Sequence, residues 1–504
     1  MPALSDLVEA GELVPGSRRW PRVKVGPHEW DIAARRLVEG ALTLLGLWGE
    51  QAGVHMALRD NETGAIGIVS LDAVDGAFPS IARAHPPALR LERAIRDLFG
   101  LDPQGLPDAR PWLDHGAWGV SAPLGKRADA PAPPPAYAFL GAEGEGLHQI
   151  PVGPVHAGII EPGHFRFTAN GELVVRLEER LGYVHKGIEG LMQGASLERA
   201  AQLAGRVSGD STVAYALAFA QATESALQVK IPERAAWLRA LMAEMERLAN
   251  HLGDIGAICN DASFALLHAH CGVLRELMLR AASAAFGHRL MRDLIAPGGV
   301  TRDLSMEGAA AIRKLLTRVR RRLPHIVRIY DNTASLQDRT VGTGILKPEL
   351  ARQYGAGGYI GRASGRLFDA RRDVGYAPYE KLSFDPPLLN DGDVNARVWI
   401  RIREVEQSLS LIEQILNQAQ PGDVRVELKA AGETRESMAL VEGFRGDVLV
   451  WLQIGADGLV ARCHLRDPSW FQWPLLEAVI EGNIVADFPL CNKSFNCSYS
   501  GHDL

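Results

Sequence analysis

The sequence predicts an α+β N-terminal domain followed by a mainly α large domain with short peripheral strands. Three observations carry this reading. Apolar residues recur at helical spacing over most of the chain after Leu181. Before that point, alternating runs flank Asn-Gly and Asp-Asn-Glu-Thr-Gly turns, which are hairpin signals. Residues 126–136, KRADAPAPPPA, form a Pro/Ala stretch of the kind that makes extended, semi-rigid linkers. The chain of 504 residues divides accordingly into a domain at 1–122, a linker at 123–148 and a domain at 149–504. At roughly 150 residues per domain the length allows two to four domains.

Taken in order, residues 33–47 (AARRLVEGALTLLGL) repeat apolar side chains at helical spacing and predict a helix. From Val54, VHMALRDNETGAIGIVSL sets two apolar runs around Asp60–Gly64 and predicts a hairpin. Residues 88–99 (ALRLERAIRDLF) predict a second helix, stopped by Gly100 and Pro103. The large domain opens with GHFRFTANGELVVRLEER, two strands about an Asn-Gly turn. Residues 232–252 start with Pro232 in the first turn and stack Trp237, Leu241, Met245, Leu248 and Leu252 on one face before Gly253. Arg318, Arg320, Arg321 and Arg322 sit on a helix expected to end at Pro324. They suit a solvated face, with an acidic partner subunit or lipid head groups as the sharper alternatives. Residues 394–418 form a long amphipathic helix through Val398, Ile402, Val405, Leu409, Ile412 and Leu416. VLVWLQIGADGLVARCHLR then returns to strands.

Composition excludes several classes. Hydrophobic residues make up 47% and charged ones 23%, the ordinary soluble mix, so disorder, collagen and a disulfide scaffold are ruled out. A net charge of −6 gives no electrostatic reason to bind nucleic acid. No stretch reaches about 18 uncharged apolar residues, so the chain is not expected to span a membrane by itself. MPALSDLVEAGELVPG lacks the basic and apolar regions of a signal peptide. Five cysteines without a CxxC pair fit a reducing cytoplasm and count against a zinc or iron–sulfur site here.

Several segments carry a family resemblance. LERAIRDLFGLDPQGLPDARPWL resembles the signature of the 30-kDa subunit of respiratory complex I. GPVHAGIIEPGHFRF, RLGYVHKGIEGLM, ERLANHLGDIGAICNDASF, PGGVTRDL, GRASGRLFDARRD and NARVWIRIREVEQSL follow in order. They resemble the complex I 49-kDa subunit and its relative, the large subunit of membrane-bound [NiFe] hydrogenases. The wording VGPVHAGIIEPGHFRF is closer to the hydrogenase branch.

That resemblance makes the metal ligands decisive. A [NiFe] site in the family takes four thiolates from two CxxC motifs, because soft sulfur suits these metals and a hydroxyl does not. The first motif falls on Arg206-Val207-Ser208-Gly209-Asp210-Ser211, placing Ser208 and Ser211 at the cysteine positions. The C-terminal motif falls on SFNCSYSGHDL. Anchoring on Ser494 and Asp503 puts Ser498 and Gly501 at the ligand positions; a slip of one residue puts Cys497 and Ser500 there. At most one thiolate of four survives, so no metal ligand set is assigned and a Ni–Fe cluster is not expected. The quinone-site tyrosine of complex I falls on Gly209, and its histidine on Ile160, or on His164 with a short gap.

What the resemblance leaves is a polar site. Glu161 matches the proton-relaying Glu of the hydrogenases, and His164 and Arg166 follow it closely enough to hydrogen-bond or charge-pair with it. Ser208, Asp210, Ser211 and Arg206 are expected to line one polar pocket. Glu161, His164 and Asp210 are thus the catalytic candidates, with His156, Arg166, Arg206, Ser208 and Ser211 as binding residues. For His156 and His185 a packed, satisfied imidazole is the commoner role. Glu189 matches a residue near the hydrogenase metal and reads as structural once the cluster is gone. Cys491 and Cys497 read as unpaired thiols.

The family implies a peripheral-arm subunit of a membrane-bound, complex I-like (NADH-quinone oxidoreductase-like), energy-converting-hydrogenase-related complex that couples electron transfer to ion translocation. It implies an iron–sulfur small subunit, a membrane anchor subunit and antiporter-like membrane subunits as partners. The chain would sit on the cytoplasmic face with no cofactor of its own and a quinone among the acceptors. A catalytically silent scaffold is the alternative, and an active [NiFe] hydrogenase is the least favoured reading.

Overall fold

The computed structural model describes residues 3–129, 136–157, 160–429 and 432–504. The expected Pro/Ala linker falls largely on residues 130–135, outside the described residues. After an N-terminal helix at Ala3–Ala10 come three short strands, β1 (Glu12–Leu13), β2 (Ser17–Arg18) and β3 (Arg22–Lys24). Helix α1 (Pro27–Val38) follows and ends sooner than the apolar spacing predicts. Gly40 takes φ +74°, a left-handed conformation that glycine adopts without a Cβ clash, and the chain turns. The apolar run beyond it is strand β4 (Leu42–Gly49), buried at every position. A run apolar on both faces suits a strand covered on both sides, so the helix expected over 33–47 splits in two.

Strand β4 pairs with β5 (Gly53–Asp60), and β5 with β6 (Ile66–Asp72), the expected hairpin. At its turn the Asp60 carboxylate accepts the N–H groups of Glu62 (3.0 Å) and Thr63 (2.9 Å). The sheet order is β1-β3-β6-β5-β4. Helix α2 (Leu89–Phe99) stops at Gly100, as its sequence predicts.

The large domain begins with a three-stranded antiparallel sheet, β7 (Leu147–Val152), β8 (His164–Asn170) and β9 (Leu173–Arg180). Its helical body comprises α3 (Thr212–Ala226), α4 (Glu233–Asp261), α5 (Ala265–Phe286), α6 (Met306–Asn332) and α7 (Val394–Gln418). Helix α4 is central and packs on α5 and α7. Helix α6 runs through Pro324 instead of ending there. The proline removes one backbone bond, while Ile312, Leu316, Val319, Leu323 and Ile326 bury a continuous face around it.

Strands β10 (Arg435–Glu442), β11 (Asp447–Ile454) and β12 (Val460–Arg466) form a second buried sheet against α3. Its order is β12-β11-β10-β2, so an N-terminal strand completes the large domain's sheet, parallel to β10. Leu45, Trp48 and Ile68 of the N-terminal sheet pack with Met438, Leu449 and Trp451 in one cluster. Across the same seam Arg22 Nη1 donates to Glu436 at 2.5 Å. The two domains therefore share a core. Helix α8 (Ser469–Ile480), a helix at Phe488–Phe495 and α9 (Tyr499–Asp503) follow, and all of α9 is buried.

Candidate functional site

The site grows from the N-terminus of α3. Glu246 of α4 accepts the N–H groups of Val213 (2.8 Å) and Ala214 (3.1 Å), which fixes where the helix starts. Ser211 occupies the cap position but does not cap with its side chain. Its hydroxyl instead accepts from Arg445 Nη1 at 3.2 Å. Ser208 donates to Asp210 Oδ1 at 2.7 Å and lies 3.0 Å from the Ser498 hydroxyl. Ser498 in turn caps α9, accepting from Gly501 N–H at 2.9 Å. The first motif and the C-terminal motif thus touch at Ser208 and Ser498.

Arg445 joins these pieces from the hairpin between β10 and β11. It forks the Asp210 carboxylate, Nη1 to Oδ1 at 2.8 Å and Nη2 to Oδ2 at 2.5 Å, and its Nε donates to the Asn496 carbonyl at 2.5 Å. Burial works against charge on Asp210, but the Arg445 guanidinium overrides it and holds the carboxyl below its ordinary range. Asn250 Nδ2 donates to the Asp210 carbonyl at 2.8 Å. At Gly501 a Cβ would meet Asp467 Oδ2 at 2.5 Å, so a larger residue there requires movement. That carboxylate also accepts from Tyr215, one turn along α3, at 2.7 Å.

Beside Asp210 a cavity of about 210 Å³ opens, with Gly209, Glu246 and Asn250 on its polar side and Met245, Met278 and Met291 on its apolar side. Burial pushes the Glu246 carboxyl up to about 8, against the two N–H bonds that favour its charge.

Other expected residues go elsewhere. Arg206 does not line the pocket. Its fork pairs with Asp293 at 2.6 and 2.8 Å on a solvent-facing surface, because its long side chain reaches outward from a turn whose serines point inward. Glu161 is exposed and accepts the Ser500 N–H at 2.9 Å, so it holds the start of α9. His164 and Arg166 do not engage Glu161. Arg166 Nε donates to His164 Nε2 at 3.3 Å, while His164 Nδ1 meets the Gly153 carbonyl at 3.1 Å. Both belong to β8, whose alternation and pairing with β7 carry them away from the Glu161 loop. Burial lowers the His164 pKa.

His156 Nε2 bonds the Gly163 carbonyl at 2.7 Å, and His185 Nδ1 the Asp503 carbonyl at 2.7 Å. Glu189 is buried between Arg462 (2.7 Å) and His464 (2.8 Å). Burial opposes its charge, but these two neighbours bring it down to about 2. Burial pushes the Cys491 thiol up to about 12 and raises the Cys497 thiol well above its ordinary range. Among the described residues no three His, Cys, Asp or Glu side chains converge as a metal site.

Arg445 and Glu246 are absent from the sequence reading. The one signal for the first was Asp210 itself: a carboxylate in a partly buried turn favours a counter-charge. Which cation supplies it is not written near it, since Arg445 lies 235 residues away.

Parts of the chain match known families. Residues 49–134 match the respiratory-chain NADH dehydrogenase 30 Kd subunit, 268–432 its 49 Kd subunit, and 186–253 the nickel-dependent hydrogenase family. Formate hydrogenlyase subunit 5 of Escherichia coli is 32% identical, over 86% of this chain and 78% of that protein. The NADH-quinone oxidoreductase C/D protein of Phocaeicola vulgatus is 27% identical, over 83% and 86%. Membrane-bound hydrogenase subunit alpha of Pyrococcus furiosus is 28% identical, over 69% and 85%. No helix among the described residues is long and apolar enough to cross a membrane.

Proposed function

Since the chain belongs to the family uniting complex I 30-kDa and 49-kDa subunits with [NiFe] hydrogenase large subunits, we propose that it is a peripheral-arm subunit of a membrane-bound oxidoreductase with a rebuilt motif site. The complex couples electron transfer to proton or ion movement. Its other members are an iron–sulfur small subunit, a membrane anchor and antiporter-like subunits, and the chain lies on the cytoplasmic face.

The observation that carries this reading is the Ser208–Asp210–Arg445–Ser498 cluster, where the two family motifs meet. Its residues do not fit a nickel–iron centre. Hydroxyls replace soft thiolates, Gly501 has no side chain, and a guanidinium brings positive charge where a cation would sit. The chain holds no such cluster, and redox centres and a quinone or other acceptor belong to the interface with its partners. What its own residues supply is proton handling. Glu161 and Asp210 hold opposite sides of the C-terminal turn, the first through Ser500 and the second through Ser208 and Ser498.

A silent scaffold is the second reading, favoured by how completely Arg445 and Ser208 occupy Asp210. One experiment separates the two. In membranes reconstituted with the whole complex, Glu161→Gln keeps an acceptor for Ser500 but loses the titratable proton. Loss of coupled ion movement, with assembly intact, is expected; Asp210→Asn should impair it too, and the double variant should be no worse than the more severe single one. Wild-type transport by both single variants establishes the scaffold instead. About one nickel per purified chain with hydrogen uptake would overturn the rebuilt site.

A further inference from the structure

Helix α6 carries a segregated charge. Between Gly308 and Tyr330 the sequence has six Arg, one Lys and no Asp or Glu, in a chain of net charge −6. Two of these cations reach across the surface to α7: Arg313 donates to the Asn417 side chain at 2.9 Å, and Arg320 pairs with Glu413 at 2.7 Å. Lys314, Arg318, Arg321 and Arg328 are exposed and have no ion pair among the described residues. Their spacing of four, three and seven residues aligns them in one stripe, with exposed His325 filling its gap. The stripe lies opposite the buried face of Ile312, Val319 and Ile326 and runs for about 21 Å at 1.5 Å per residue.

We propose that the Lys314–Arg328 face of α6 rests directly on the anionic headgroups of the membrane. This rests on the membrane-bound reading above and adds to it the side of the chain that faces the bilayer. Two arguments select lipid over protein. A protein interface is anchored by an apolar or aromatic core within a polar rim. No large exposed hydrophobic side chain occurs between Met306 and Val341, so the stripe has rim and no core. A headgroup layer needs only cations held near it, and the planar guanidinium fork matches phosphate oxygens. Because the chain as a whole is negative, an anionic surface repels its other faces and attracts this one.

The test floats the full-length chain with phosphatidylcholine vesicles, with and without phosphatidylglycerol. Binding is expected only to the anionic vesicles and should be released by added salt. Arg318→Glu with Arg321→Glu should weaken it by at least about twentyfold, from roughly fivefold per lost cation. The thermal transition should not move, since both side chains are exposed. Equal binding to neutral vesicles, binding to neither, or wild-type binding by the folded double variant overturns the proposal. So does capture by soluble polyglutamate without vesicle binding, which identifies an acidic polypeptide instead. A chain that ignores vesicles yet co-purifies with membrane subunits would remove this contact and leave the assembly reading standing.

Discussion

Two of the arginine–carboxylate assemblies in the large domain differ in one respect. In the first, Arg362 bridges Glu404 (2.7 Å) and Glu442 (2.9 Å), His251 meets Glu404 at 2.7 Å, and Arg371 meets Glu244 at 2.8 Å, all with no exposed side-chain surface. In the second, Arg445 grips Asp210, whose side chain keeps 35% of its surface beside a cavity. The first ties α4, α7 and β10 together and has no route to solvent. The second has the same chemistry at a wall. Both hold one hairpin: Arg247 donates to the Glu442 and Gly443 carbonyls at 2.9 Å, and Arg445 sits two residues further on. A buried charge network here is architecture, and the same pair half-buried is where protonation can change.

The contrast breaks most visibly at Arg362. Arg362→Met takes the guanidinium away from two buried carboxylates and should cost about 3–5 kcal/mol in denaturant unfolding. A cost below about 1 kcal/mol would show that the network is dispensable.

Glu189 belongs to the buried kind, and its effect is read by pH. Its folded pKa, about 2, lies below the ordinary 4.5. Its stabilisation is therefore complete above pH 4.5 and lost as pH falls toward 2, on the order of 3 kcal/mol. Glu189→Gln should flatten that acid limb in a thermal-stability profile; an unchanged limb would assign acid sensitivity elsewhere.

Arg445→Gln should cost less, about 1–2 kcal/mol, because solvent reaches the carboxylate it abandons. The Asp210 carboxyl should then rise toward its ordinary range, visible by NMR titration. If Arg445→Gln costs as much as Arg362→Met, the distinction between the two assemblies fails.

The smallest effect is expected from cutting within residues 126–136. The fragments should co-elute in native chromatography, since Trp48 and Ile68 are buried against Trp451 and Leu449. Separation into free fragments would show that the shared seam contributes little.

Legibility in the sequence followed the range of the interaction. Helix 394–418 reads to its ends because the apolar period is unbroken and Asp393 caps it, accepting from Ala396 N–H at 2.7 Å. Residues 42–49 mislead because LTLLGLWG satisfies a helical and a strand pattern alike, and Gly40 is the stop signal passed over. Pro324 misleads in the opposite direction: a local terminator yields to the long buried face of α6. Ser208 and Ser211 are legible through spacing, and Arg206 shows its limit, since a neighbour in sequence leaves the turn in another direction. Arg445 lies beyond any local pattern.

Strand β2 has a consequence for synthesis. Residues 17–18 pair with residues 436–437, so the first-made strand of this sheet waits for a partner 419 residues further along the chain. A ribosome-bound chain that has not yet reached β10 exposes β2 with nothing beside it, and the seam around Trp48 lacks its opposite wall. Such a late, long-range pairing is slow to form and leaves apolar surface open meanwhile. Closure of the sheet thus waits until synthesis has passed residue 437, and only then is Arg445, at the neighbouring hairpin, placed against Asp210.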